Sequence, residues 1–102
     1  MAAVFAFSAT VWQWMARHDA WFFVSVPEEQ SDEIRARSEG LTGGFNSVPV
    51  EVAIGDTRWR TSIFPGGDGV YWLPLKKSVR AAEGIERDSV VDVAIELRLT
   101  TP

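Results

Sequence analysis

Apolar and polar positions alternate most plainly near the C-terminal end of the chain. Val91, Val93, Ile95, Leu97 and Leu99 recur at every second residue, and Val90, Asp92, Ala94, Glu96 and Arg98 fill the positions between them. Period-two alternation buries one set and turns the other toward water, so this stretch predicts a long strand. Tyr71, Leu73 and Leu75 alternate in the same way and predict a second one. Between the two, Lys-Lys-Ser-Val-Arg-Ala-Ala-Glu-Gly predicts a helix of about two turns, with Gly84 where a left-handed stop falls. The rest of the chain has to complete a sheet around this unit of strand, helix, turn and strand, which spans Val70 to Leu99.

The same pattern predicts four further strands. The first runs from Ala3 to about Trp14. Phe5, Phe7, Ala9 and Val11 share one parity, and Trp12 and Trp14 the other, which a β-bulge would reconcile. Arg17-His18-Asp19 is the expected turn. Trp21 to Val26 is the second strand, ended by Pro27, which cannot donate to a ladder. Ser31 to Ser38 reads as a short helix capped by Ser31, with Asp32 and Glu33 in its first turn. Glu39 to Ser47, with three glycines and an asparagine, is a loop. Val48 to Ile54 and Thr57 to Phe64 are strands three and four, joined by Gly55-Asp56. That order calls for positive φ at the first central residue. Pro65 to Gly69 is a loop, because proline ends the strand and three glycines supply positive φ. Six strands and two short helices predict a mainly β fold, a single small closed barrel of mostly antiparallel strands, since closure removes exposed edges.

Length and composition narrow the class. A chain of 102 residues with 46% hydrophobic residues supplies one core in one domain without staples. Cysteine is absent, which rules out a disulfide framework, a thiolate nucleophile and a sulfur-ligated metal, and fits a cytoplasmic setting. The apolar N-terminal stretch lacks a positively charged start and is interrupted by Ser8, Thr10 and Gln13, so it reads as a strand rather than a leader or a membrane span. The net charge of −4 and pI of about 4.9 argue against nucleic acid as a partner. The charge is uneven, however. Arg58, Arg60, Lys76, Lys77 and Arg80 fall in one stretch whose only acid is Asp68.

Each candidate for chemistry has a plainer structural reading. His18 is the only histidine and has only Asp19 beside it, so a turn residue is favoured over a catalyst or metal ligand. Glu28-Glu29, Asp32-Glu33 and Asp92 with Glu96 read as solvated carboxylates rather than acid–base pairs. Pro-Gly-Gly-Asp-Gly lacks the spacing of a phosphate loop and runs into a strand, so it reads as a hairpin loop. Asp88 is expected to accept backbone N–H bonds in the turn before the last strand. Trp12, Trp14, Trp21 and Trp59 are expected to fill the barrel interior. The basic stretch is the surface with the strongest functional signal. Arg58 and Arg60 share a face of strand four, Trp72 is expected alongside on the adjacent strand, and Lys76, Lys77 and Arg80 open the following helix. Together these six predict a cationic patch suited to an anionic or aromatic partner.

The residues also resemble a known family, the domain of unknown function 1905 family. The resemblance covers nearly the whole chain. It rests on Trp-Phe-Phe-Val-Ser-Val-Pro in the second strand, on the block from Val48 to Arg80, and on the stretch from Glu83 to Leu97. It implies a small closed β-barrel of bacterial origin in its standalone form, and leaves the biochemical role open. The chain departs from the family pattern at Arg87-Asp88, where the family usually has Gly-Asp, so a turn that does not need glycine is expected there. The function expected from these readings is a binding module for a peptide, protein or small anionic ligand, with no cofactor or metal and no membrane. The alternative is a structural or regulatory interaction protein that forms a homodimer. An enzyme ranks behind both, because no nucleophile–base or metal constellation is legible.

Overall fold

The computed structural model describes residues 4–16, 19–41 and 46–99. The elements along them are β1 Val4–Thr10, β2 Trp12–Ala16, β3 Asp19–Ser25, α1 Glu28–Ser38, β4 Val48–Ile54, β5 Thr57–Pro65, β6 Tyr71–Pro74, α2 Lys77–Glu83 and β7 Val90–Leu97. The strands form one sheet of order β1-β7-β4-β5-β6-β3-β2, antiparallel at every step. Among the described residues, no helix is long and apolar enough to cross a membrane.

Seven strands form rather than six because the predicted first strand divides at Val11. There the Val11 N–H donates to the Ser89 carbonyl at 2.8 Å, and its own carbonyl accepts the Asp88 N–H at 2.8 Å. The two lengths then take different partners, β1 pairing with β7 and β2 with β3. The expected closed barrel is corrected to an open half-barrel. Its outermost strands, β1 and β2, are successive lengths of one segment and do not pair with each other. In the middle of the sheet, β5 and β6 share only two residue pairs, Phe64 with Trp72 and Pro65 with Tyr71.

The buried side chains follow the predicted parities. Val48, Val50, Val52 and Ile54 of β4, Trp59 and Ile63 of β5, Leu73 of β6 and Val91, Val93 and Ile95 of β7 meet in one core, joined by Ile34 of α1 and Val79 of α2. The tryptophans depart from expectation. The odd parity of Phe5 continues unbroken to the buried Val11, with no reversing bulge, so Trp12 and Trp14 stay on the outer face. Trp14 and Trp21, paired across β2 and β3, are 53% and 48% exposed, and of the four only Trp59 joins the core. Aliphatic side chains from both halves of the sheet already fill the interior.

Local chemistry corrects three further expectations. Helix α1 begins at Glu28, three residues before the predicted cap. Ser31 is fully buried inside the helix instead, where its hydroxyl donates to the Val26 carbonyl at 3.0 Å and accepts the Tyr71 N–H at 3.1 Å. In the turn before β7, Asp88 itself takes the left-handed conformation at φ 71°, which Asp tolerates better than most residues. The expected backbone acceptor role falls to Ser89, whose hydroxyl receives the Glu86 N–H at 2.9 Å. The Gly55-Asp56 turn is as predicted, with Gly55 at φ 58°. Arg17 and His18 of the predicted turn, and residues 42–45 of the predicted loop, lie outside the described residues.

Candidate functional site

The short β6 opens a cleft beside it. Strand β5 runs for nine residues and β3 for seven, but β6, between them, has only four. Past Pro74 no strand among the described residues spans the gap, so β5 at Trp59–Thr61 and β3 at Ala20–Phe22 face each other across a cleft of about 440 Å3 floored by Pro74 and Leu75. The floor is anchored, because the Leu75 N–H donates to the Phe22 carbonyl at 2.8 Å. The two-residue turn makes Ile54 and Thr57 a hydrogen-bonded pair, so the alternate residues Arg58, Arg60 and Ser62 turn their N–H and C=O groups away from β4. Strand β6 pairs with β5 at Phe64 and Pro65, so Arg58 and Arg60 have no paired residue on that side among the described residues.

Four of the six sequence-predicted site residues converge here. Arg60, Lys76, Lys77 and Arg80 line the cleft, and among the described residues no acidic side chain does. Arg80 is fixed in position. Its Nε–H donates to the Leu75 carbonyl at 3.0 Å, and its guanidinium lies over the Phe22 ring with 4.1 Å to the centroid. Arg60 leans toward Glu51 at 3.6 Å, an exposed pair that contributes little and leaves donors open. Lys76 and Lys77 are exposed and have no carboxylate partner among the described residues.

The other two residues lie apart. Arg58 lines a separate, smaller depression with Glu51, Ala94 and Glu96. Trp72 is half-buried on the outer face, edge-on to Trp12 at 4.9 Å between centroids and 5.8 Å from the Phe23 ring. Its indole N–H donates to Asp68 at 3.1 Å, so the glycine-rich loop closes over it. Trp72 is expected to flank the arginines from the adjacent strand, but the register pairs it with Phe64, four residues beyond Arg60. Trp21 and Trp59 line the cleft instead. The sequence signal for them was weak: four tryptophans, with nothing to say which would fall beside a gap.

The remaining candidates resolve into surface chemistry. Asp32 pairs with Arg35 at 3.0 Å and Glu33 with Arg37 at 3.4 Å along α1. Asp92 accepts a hydrogen bond from the Ser8 hydroxyl across the β1–β7 ladder. Among the described residues, no three His, Asp or Glu side chains gather as a metal site would require. A second depression beside α1 mixes Asp32 and Glu39 with Arg35, which is already held by Asp32 and by the Gly69 carbonyl at 2.7 Å.

Residues 7–95 match the model of a family described as a domain of unknown function, DUF1905. The chain belongs to that family. The match takes in β2 through β6, both helices, and all the residues that line the cleft of this DUF1905 chain. No curated protein matches the chain.

Proposed function

We propose that this DUF1905 chain is a cytoplasmic binding module, not an enzyme, that holds a small anionic ligand in the cleft between β5 and β3. The observation that carries this reading is the set of four cations lining one cleft, with no acid beside them among the described residues, on a chain of net charge −4. A cationic concavity on an acidic protein favours anions locally while the surrounding field repels them, which concentrates selectivity at the cleft. Lys76 and Lys77 carry no carboxylate partner among the described residues, so a ligand meets them without first displacing an ion pair.

Titrating the 15N-labelled protein with inorganic phosphate tests the reading. Amide signals of Arg60, Lys76 and Lys77 are expected to shift saturably, the shifts to weaken with added salt, and the double variant Lys76→Glu/Lys77→Glu to abolish them. Arg58→Glu, outside the cleft, is expected to leave them as they are. Shifts that survive the lysine reversal, or that centre on Arg58, would refute the assignment.

A second reading, an interaction protein that forms a homodimer, draws on a different observation. Trp14, Met15 and Trp21 are about half exposed or more, at the corner where β2 ends the sheet. Large exposed apolar side chains at an unprotected edge strand favour pairing with another chain. Sedimentation of the wild type against Trp14→Ser/Met15→Ser tests it: a dimer dissociated by the variant supports the reading, and a wild-type monomer rejects it.

A further inference from the structure

We infer that the ligand of this cleft is a planar aromatic ring bearing an anionic group. The inference deepens the anion-binding reading and rests on it.

Size is the first consideration. A cleft of about 440 Å3 lies in the range that encloses a metabolite-sized ligand, and a bare phosphate or carboxylate leaves most of it empty. The division of the lining is the second. Lys76 and Lys77 stand where α2 begins, while Trp21 on β3 and Trp59 on β5 occupy the facing walls, over the apolar floor of Pro74 and Leu75. Arg60 on the β5 wall and Arg80 over Phe22 bring cations to the walls as well, so a ligand that fills the space meets both charge and apolar surface.

The state of the aromatic rings is the third consideration. Trp12, Phe23 and Trp72 satisfy one another in a cluster on the outer face. The Phe22 ring is covered by the Arg80 guanidinium. No ring stacks on Trp21 or Trp59 among the described residues, and Trp21 is 48% exposed. An open indole beside unpaired ammonium groups is an arrangement that stacks a flat ring and neutralises its charge together. Trp59 is buried in the core and shows the cleft little of its ring, so Trp21 is the indole open to a ligand there.

Three probes separate the parts: 1-naphthyl phosphate, inorganic phosphate and 1-naphthol, each titrated into the labelled full chain while the indole N–H signals are followed. The expected result is that 1-naphthyl phosphate binds about tenfold or more tighter than either fragment and shifts the Trp21 indole, a gain in the range of one base–aromatic stack. Trp21→Ala is expected to remove that advantage and bring the two phosphates to similar affinity. Equal affinity of the two phosphates for the wild type overturns the ring inference while leaving the anion site standing. Equal affinity of 1-naphthol and 1-naphthyl phosphate overturns the anion reading itself. Binding that shifts Trp14 and leaves Trp21 unmoved overturns the location.

Discussion

Ile95 has no exposed surface and sits at the centre of β7, opposite Phe5 on one side and Val52 on the other. Truncating it removes packing from both neighbours at once. Ile95→Ala is expected to lower stability by about 2–5 kcal/mol in urea unfolding. Its neighbour Glu96, on the other face, is expected to tolerate alanine with a change of about 0.5 kcal/mol or less. Equal effects would show that the strand phase is wrong. Ser31 presents a different chemistry at the same scale. Its hydroxyl accepts the Tyr71 N–H, and it also ties α1 to the chain at Val26. Ser31→Ala leaves that buried N–H unpaired and is expected to cost about 1–3 kcal/mol. An exposed helix cap at this position would be expected to cost less, about 1 kcal/mol. Faster hydrogen exchange at Tyr71 in the variant is the direct check.

Among the elements, β6 decides most about the molecule while being the shortest strand. The Pro65–Gly69 loop leads into it, with the Gly66 N–H donating to Val70 at 2.8 Å and Asp68 holding the Trp72 indole. Gly66 lies against that indole so closely that a methyl group there would collide with the ring. Because the φ of Gly66 is not positive, the collision alone sets the effect. Gly66→Ala is expected to displace Trp72 from Trp12 and Phe23, cost about 1–3 kcal/mol, and shift tryptophan emission to the red. Wild-type stability and emission in the variant would mean that the loop does not bear on the cluster. At its other end, β6 stops at Pro74 and the chain turns into α2, whose Glu83 accepts a hydrogen bond from the Thr57 hydroxyl at 2.6 Å. That contact seats the helix against β5 and fixes one side of the cleft.

At the scale of the whole molecule, charge and shape act together. A chain of net charge −4 gathers four cations in one cleft, so affinity for anions and its salt dependence are properties of the fold and not of any one residue. The stability of the protein, by contrast, does not depend on those charges. Lys76 and Lys77 are exposed and unpaired among the described residues, so their reversal to glutamate is expected to move the melting temperature by no more than about 2–3 °C while removing phosphate binding. A large loss of stability would mean that the lysines serve α2 rather than a ligand.

Period-two alternation in β4, β5 and β7 made the core faces legible from sequence, because side-chain direction along a strand is a local property of the backbone. The same locality made the Gly55 turn legible, and it gathered Arg60, Lys76, Lys77 and Arg80 into one candidate surface. What lay beyond it was pairing between distant strands. Nothing within Ala3 to Trp14 says that its two halves take β7 and β3 as partners, nor that β5 and β6 share two residue pairs and then part. Those outcomes depend on where β6 stops and on how many aliphatic side chains already fill the interior, which only the assembled sheet determines. They turned three tryptophans outward, separated Arg58 and Trp72 from the four cations of the cleft, and opened the gap that Trp21 and Trp59 now line.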